Sequence, residues 1–137
     1  MATRSKTFAP SRSKIVEEDP RLTRLSKICL ALSGAECTVN GSHATFRGGA
    51  GKTKKVFAYF LSNHHGDGIV AVTCKVGPGD NLALIASQPE RFYMPAYIGP
   101  RGWVGLRLDR GAVDWAEVAE LVQGSYELVL RKPAKRI

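Results

Sequence analysis

Residues 55–76, KVFAYFLSNHHGDGIVAVTCKV, contain two apolar segments separated by a short polar turn. The first segment, from about Lys55 to Leu61, is rich in the aromatic and β-branched residues that favour strands. The second segment, Ile69 to Val76, alternates in strand fashion, with Val70 and Cys74 on the same face. Because strands joined by a short turn pair antiparallel, this stretch predicts the centre of an antiparallel sheet.

Helical patterns lie near both ends of the chain. Asp19 and Pro20 begin a run of apolar residues at helical spacing, which Gly34 is predicted to stop. Asp114 is predicted to cap a second long helix, and Gly124 predicts a break within it.

Shorter elements occupy the rest of the chain. Strand-like pieces lie within residues 36–47, and Trp103 to Asp109 alternates apolar and other residues. Asp80 is predicted to cap a short helix that Pro89 ends. The pattern predicts an α+β fold in two layers, with a mostly antiparallel sheet and the helices of both chain ends packed on one of its faces.

The glycine-rich stretch RGGAGKTKK, Arg47 to Lys55, looks at first like the phosphate loop of a nucleotide-binding enzyme. Such a loop needs a glycine where this chain has Phe46, and it must open a helix. Here a strand follows instead. The stretch therefore predicts a turn between two strands, in which glycines supply the left-handed backbone and lysines keep the tip soluble.

The positive charge is concentrated at the two ends of the chain. The net charge is +8, yet residues 15–130 carry equal numbers of basic and acidic residues. We therefore expect a flexible basic arm over residues 1–14, a folded domain over residues 15–130 and a basic tail over residues 131–137. Basic tails of this kind attract polyanions without sequence preference.

Several segments together resemble the MmcQ/YjbR family, a family of unknown function. The segment around Lys55, Phe57 and Ala58 begins the resemblance. A short helix then leads to FYMPAYIGPRGWVGLRLD (residues 92–109), and VDWAEVAELVQGSYELV (residues 113–129) closes it. Trp103, Ser125 and Tyr126 stand where that family has them, and the resemblance covers roughly residues 18 to 130.

The resemblance implies a compact α/β domain likened to double-wing DNA-binding domains, with drug-resistance gene clusters associated with some members. It implies no established catalytic residues and favours a non-enzymatic protein with nucleic acid as its partner. The basic ends and the long glycine-lysine turn depart from the family pattern. If the chain binds DNA as the resemblance implies, the turn contacts phosphates, and other cations in strands and loops extend the phosphate-binding surface. The predicted contacts are Arg47, Lys52, Lys54, Lys55, Lys75, Arg101 and Arg107. Base-specific reading is not predicted, because no helix rich in Arg, Asn or Gln appears.

Two alternatives remain open. One is a small-molecule pocket, drug-binding or resistance-related, or an enzyme site, whose aromatic and arginine lining is Tyr93, Tyr97, Arg101 and Trp103. The other is a protein-interaction module that uses the tails as partner-binding arms. The sequence indicates no oligomeric state.

Metal and catalytic patterns are weak throughout the chain. His43, His64, His65 and Asp67 are candidate polar groups, but adjacent histidines in a turn point in different directions and do not predict a metal site. Cys29, Cys37 and Cys74 have no zinc or redox spacing and are predicted to be reduced thiols. No apolar run approaches the ~18 residues of a membrane helix. We therefore expect a cytoplasmic protein with no cofactor and no membrane partner.

Overall fold

The computed structural model describes residues 19–64 and 66–131. Three α-helices and six strands form within these residues. In chain order they are α1 (Pro20–Leu30), β1 (Glu36–Asn40), β2 (His43–Gly48), β3 (Lys55–Ser62), β4 (Val70–Lys75), α2 (Asp80–Ser87), β5 (Phe92–Tyr93), β6 (Trp103–Arg107) and α3 (Trp115–Leu130). Short 3-10 turns at Gly51–Thr53 and Gly99–Arg101 precede β3 and β6.

The six strands form one sheet in the order β1-β2-β3-β4-β6-β5, and every neighbouring pair is antiparallel. The strands from β1 to β4 follow one another along the chain, as the short turns predicted. The chain then passes through α2 and β5 before β6 returns to pair with β4. The predicted α+β class with a mostly antiparallel sheet is therefore confirmed.

Both terminal helices cover one face of the sheet, which we call the core face. Helix α3 lies on β3 and β4, and α1 packs against α3 and β1. The core combines aliphatic side chains with four phenylalanines that are almost completely buried: Phe46, Phe57, Phe60 and Phe92. Helix α1 contributes Leu25 and Cys29, and α3 contributes Val118 and Val122. Burial of these apolar faces is the main stabilisation of such a domain.

Two details of the helices differ from the sequence prediction. Helix α3 runs without a break through Gly124, because packing of Val118, Val122 and Ser125 against the sheet outweighs the helix-weakening effect of one glycine. Asp80 is the first helical residue of α2 rather than its cap. The N-cap is Gly79, whose φ of 80° suits glycine. The predicted cap of α1 is confirmed, since Asp19 accepts a hydrogen bond from the Arg21 amide at 2.8 Å.

Candidate functional site

The residues between β2 and β3, 49–54, form a compact loop that we call the glycine loop. A Cβ atom on Gly34, in the turn after α1, would overlap the carbonyl oxygen of Gly49. The Lys54 ammonium donates a 2.6 Å hydrogen bond to the Gly34 carbonyl and lies 3.2 Å from the Glu36 carboxylate. The loop is thus a turn between two strands, as predicted, and it is fixed against the turn after α1.

The cations of the glycine loop and of the strand residues next to it fall into two groups. Lys52 and Lys55 are exposed to solvent, and Arg47 is half-buried. Lys54 is instead engaged by Glu36, so its ammonium group is partly neutralised within the fold. Of the predicted phosphate contacts in this stretch, the structure therefore leaves Lys52 and Lys55 the most accessible.

Further cations lie beside the glycine loop, at the same end of the sheet as Lys55. Residues Gly48 and Lys55 flank the loop in register, and Lys75 at the end of β4 pairs with Trp103 at the start of β6. Lys75, Arg101 and Arg131 line a cleft of about 580 Å³. We call it the basic cleft, since no acidic side chain of the described residues is among its lining groups.

The basic cleft is shaped by an asparagine that sequence reasoning missed. Asn81, in the first turn of α2, is buried, and its side-chain amide donates hydrogen bonds to the carbonyls of Gly99 and Trp103 at 3.0 and 3.1 Å. These bonds tie α2 to the 3-10 turn that carries Arg101. The only sequence signal for Asn81 is that it is a polar residue at the start of a short helix, which is a common feature of many proteins.

The last of the predicted cations lies elsewhere. Arg107 is at the far end of β6 from Trp103, four residues or about 13 Å along the strand. Its guanidinium donates hydrogen bonds to both oxygens of Asp109 at 3.0 and 3.1 Å. This ion pair holds the pKa of the arginine above its ordinary value. Arg107 is therefore separate from the glycine loop and the basic cleft.

The sheet face opposite the core carries a different site. A cavity of about 380 Å³ lies between this face and the segment Met94–Ile98, and we call it the sheet cavity. Tyr93 and Tyr97, two residues of the predicted aromatic pocket, both line it. Trp103 does not line the cavity, but its ring lies 5.7 Å from that of the lining residue Tyr59 in a tilted arrangement. The structure places Arg101 in the basic cleft, so the predicted set is divided between two sites.

Two histidines and an aspartate from the sequence prediction line the sheet cavity. The rings of His43 and His64 meet edge to face at 4.7 Å, and His64 Nδ1 is 2.8 Å from the Ser42 hydroxyl. Burial lowers the pKa of His43, which favours its neutral form. Asp67 is exposed at the cavity edge. His65 lies outside the described residues.

Cysteine and metal chemistry find little support in the described part of the chain. Cys29 and Cys74 are buried, and burial raises the pKa of both thiols, that of Cys74 to about 12. Such thiols are poor nucleophiles at neutral pH. Among residues 19–64 and 66–131, no three His, Cys, Asp or Glu side chains are grouped as metal ligands.

None of the helices that the structure describes is both long and apolar enough to cross a bilayer.

Comparisons with known proteins agree with this architecture. The family model described as YjbR matches residues 30–128. The structure is similar to a crystal structure of Deinococcus radiodurans protein DR2400, which carries a DUF419 domain. The TM-score is 0.68 at 23% sequence identity, over 84% of this chain and 82% of that one. This likeness bears on the fold alone. No curated protein matches the chain.

Proposed function

The chain belongs to the YjbR family, and from this premise we propose that it binds double-stranded DNA through phosphate contacts at one end of its sheet. The proposed surface, which we call the cationic end, consists of the basic cleft, the exposed Lys52 of the glycine loop and the exposed Lys55 at the start of β3. The contacting side chains are Lys52, Lys55, Lys75, Arg101 and Arg131. Arg47, half-buried at the edge of the loop, adds to the local positive potential.

One observation carries the proposal: Lys75, Arg101 and Arg131 line one cleft with no acidic group among the described lining residues. No carboxylate of the described residues forms an ion pair with any of the three. Elsewhere on the domain, Arg21, Arg91 and Arg107 each have a carboxylate partner. Clustered cations without partners create the local positive potential that attracts a phosphate backbone.

The arrangement suits binding that is independent of sequence. Phosphate contacts position a protein on DNA, whereas base contacts specify the sequence. The ends of α2 and α3 line part of the basic cleft, but the contacting cations lie in loops, at strand ends and just after α3, and none of them lies within an α-helix. The paired Lys54 and Arg107 contribute less than the sequence suggested, because phosphate must compete with Glu36 and Asp109 for them.

The test is a salt titration of binding to a fluorescein-labelled, random-sequence DNA duplex, followed by fluorescence anisotropy. We expect K75Q/R101Q/R131Q to weaken binding by about tenfold or more at low salt, because three phosphate contacts are lost. Each lost contact should also lower the slope of log affinity against log salt by about 0.9. A second variant, K52Q/K55Q, should lower the slope by up to about 1.8.

The matched control is R24Q/K27Q/R110Q, which removes three positive charges from other parts of the surface. We expect it to leave the slope close to that of the unmodified protein. If the cleft variant instead matches this control, binding comes from the basic ends beyond the described residues, and the assignment to the cationic end is wrong. If the full chain does not raise the anisotropy of the labelled duplex at low salt, the proposal of DNA binding is wrong altogether.

A further inference from the structure

We propose that the sheet cavity is a binding site for an uncharged, planar heteroaromatic molecule that hydrogen-bonds to Thr73 and His43. The cavity lies on the face of the sheet opposite the core, and none of the cations assigned to DNA lines it. The inference is therefore independent of the proposed DNA contacts. Its volume of about 380 Å³ falls within the range of small-molecule sites in proteins.

The cavity floor contains a hydroxyl group without a partner. Thr73 lies in the central strand β4, between Tyr59 of β3 and Gly105 of β6, and it is 0% exposed. No group of the described residues forms a hydrogen bond with its Oγ1. Buried hydroxyls are normally hydrogen-bonded, so an unpartnered one that lines a cavity indicates a place where a ligand donor or acceptor fits.

A second unpartnered polar atom belongs to His43, which also lines the sheet cavity. His43 Nδ1 is buried, and it has no hydrogen-bonding partner among residues 19–64 and 66–131. Because burial lowers the pKa of His43, the ring is neutral near pH 7 and offers one donor and one acceptor nitrogen. Across β3, His43 is aligned with Ala71 rather than with Thr73, so the two polar groups lie two strands and two register positions apart. They match a ligand that carries hydrogen-bonding atoms on opposite sides of its ring, and they provide no counter-charge for an anion.

Tyrosine rings form the walls of the cavity. Tyr93 lies directly on the backbone of Gly105, since a Cβ atom at this glycine would overlap the ring. Burial and the nearby carboxylate of Asp67 raise the pKa of Tyr93 to about 12, so its phenol stays uncharged. Tyr59 and Tyr97 add two further aromatic rings to the lining. Flat apolar walls of this kind favour a planar aromatic ligand.

Tyr97 marks the mouth of the cavity. Its side chain is 87% exposed, yet it lines the cavity, and its backbone adopts φ +70°. A non-glycine residue in the left-handed region is uncommon and is found preferentially at ligand clamps and switch regions. The segment that carries it is fixed at its base, because Met94 packs so closely on Gly99 that a Cβ there would overlap its sulfur. We assign to Tyr97 the role of covering a bound ring.

The ligand class is tested by NMR titration of the isotope-labelled full chain with three probes of similar size. Quinazolin-4-one is neutral and carries hydrogen-bonding atoms on opposite sides of its ring, at N1 and the C4 carbonyl. 1-Naphthoate is an anion, and benzyltrimethylammonium is a cation. We expect quinazolin-4-one to bind most tightly, with saturable shifts of the Thr73, His43 and Tyr93 signals. Tighter binding of either charged probe overturns the neutral class, and no shift of these signals with any probe overturns the site.

Thr73→Val tests the hydrogen bond itself, because valine keeps the shape of threonine and removes the hydroxyl. We expect the affinity for quinazolin-4-one to fall about tenfold. The melting temperature of the unliganded protein should rise, since an unpartnered buried hydroxyl is replaced by a methyl group. The matched control is Thr38→Val, an exposed strand threonine in β1 away from the cavity, which should change neither quantity appreciably. Unchanged affinity in the Thr73 variant overturns the proposed contact.

Discussion

Replacing Ser125 with alanine is expected to lower the free energy of unfolding by about 2–4 kcal/mol, a large effect for the loss of one oxygen atom. Ser125 is 0% exposed, at the point where α3 packs on the sheet. Its hydroxyl donates a 2.6 Å hydrogen bond to the Phe57 carbonyl and accepts one of 2.8 Å from the Lys75 amide. Alanine would remove the partner of the buried Phe57 carbonyl and of the part-buried Lys75 amide.

The position of these two backbone groups explains why a side chain is needed there. The paired register of β3 and β4 begins at Ala58 and Cys74, so Phe57 and Lys75 lie just beyond it. Ser125 inserts between the strands at this point and takes the place of a direct bond between them. Since Lys75 also lines the basic cleft, the same serine helps to position one wall of the cationic end.

The adjacent residue provides a matched control. Gly124 is in the interior of the same helix, and a Cβ atom there would meet nothing within 4 Å. Gly124→Ala should therefore raise the free energy of unfolding by about 0.5–1 kcal/mol, through reduced backbone entropy of the unfolded chain. Urea denaturation followed by circular dichroism measures both changes. A Ser125→Ala variant as stable as the unmodified protein would show that the bridge contributes little.

The secondary structure could be read from the sequence because its signals are local. Asp19 before Pro20 and the alternation in β4 each act over a few residues, and the structure agrees with them. Gly124 misled the prediction for the opposite reason. The low helix propensity of this glycine was outweighed by the contacts of α3 with β3 and β4, strands that precede it by tens of residues.

The sites were predicted less completely, since each depends on contacts between distant parts of the chain. The pairing of Lys54 with Glu36 spans 18 positions, and neither residue signals the other in the sequence. Arg131 was assigned to a tail, yet it lines a cleft with Lys75, which the register of β4 and β6 brings close to Arg101. Tyrosines suggested a pocket, but Thr73 gave no sign that its hydroxyl would be buried without a partner.

The second large effect is expected at Gly34, where alanine should destabilise the protein by about 3 kcal/mol. Gly34 has φ +71°, a conformation that costs an L-residue roughly 1–2 kcal/mol. A Cβ atom would in addition overlap the carbonyl oxygen of Gly49, a backbone atom that can move only with the whole glycine loop. Overpacking of this kind adds about 1–3 kcal/mol.

Gly51 separates the two contributions, because its φ is +57° and a Cβ atom there would meet nothing within 4 Å. Gly51→Ala should therefore show the conformational cost alone, about 1 kcal/mol, in the same urea denaturation experiment. The difference between the variants measures the contact between the turn after α1 and the glycine loop. Equal losses would mean that this contact does not hold the loop. Lys52 would then be presented to DNA by a mobile segment, and the entropy of ordering that segment would reduce the affinity of the cationic end.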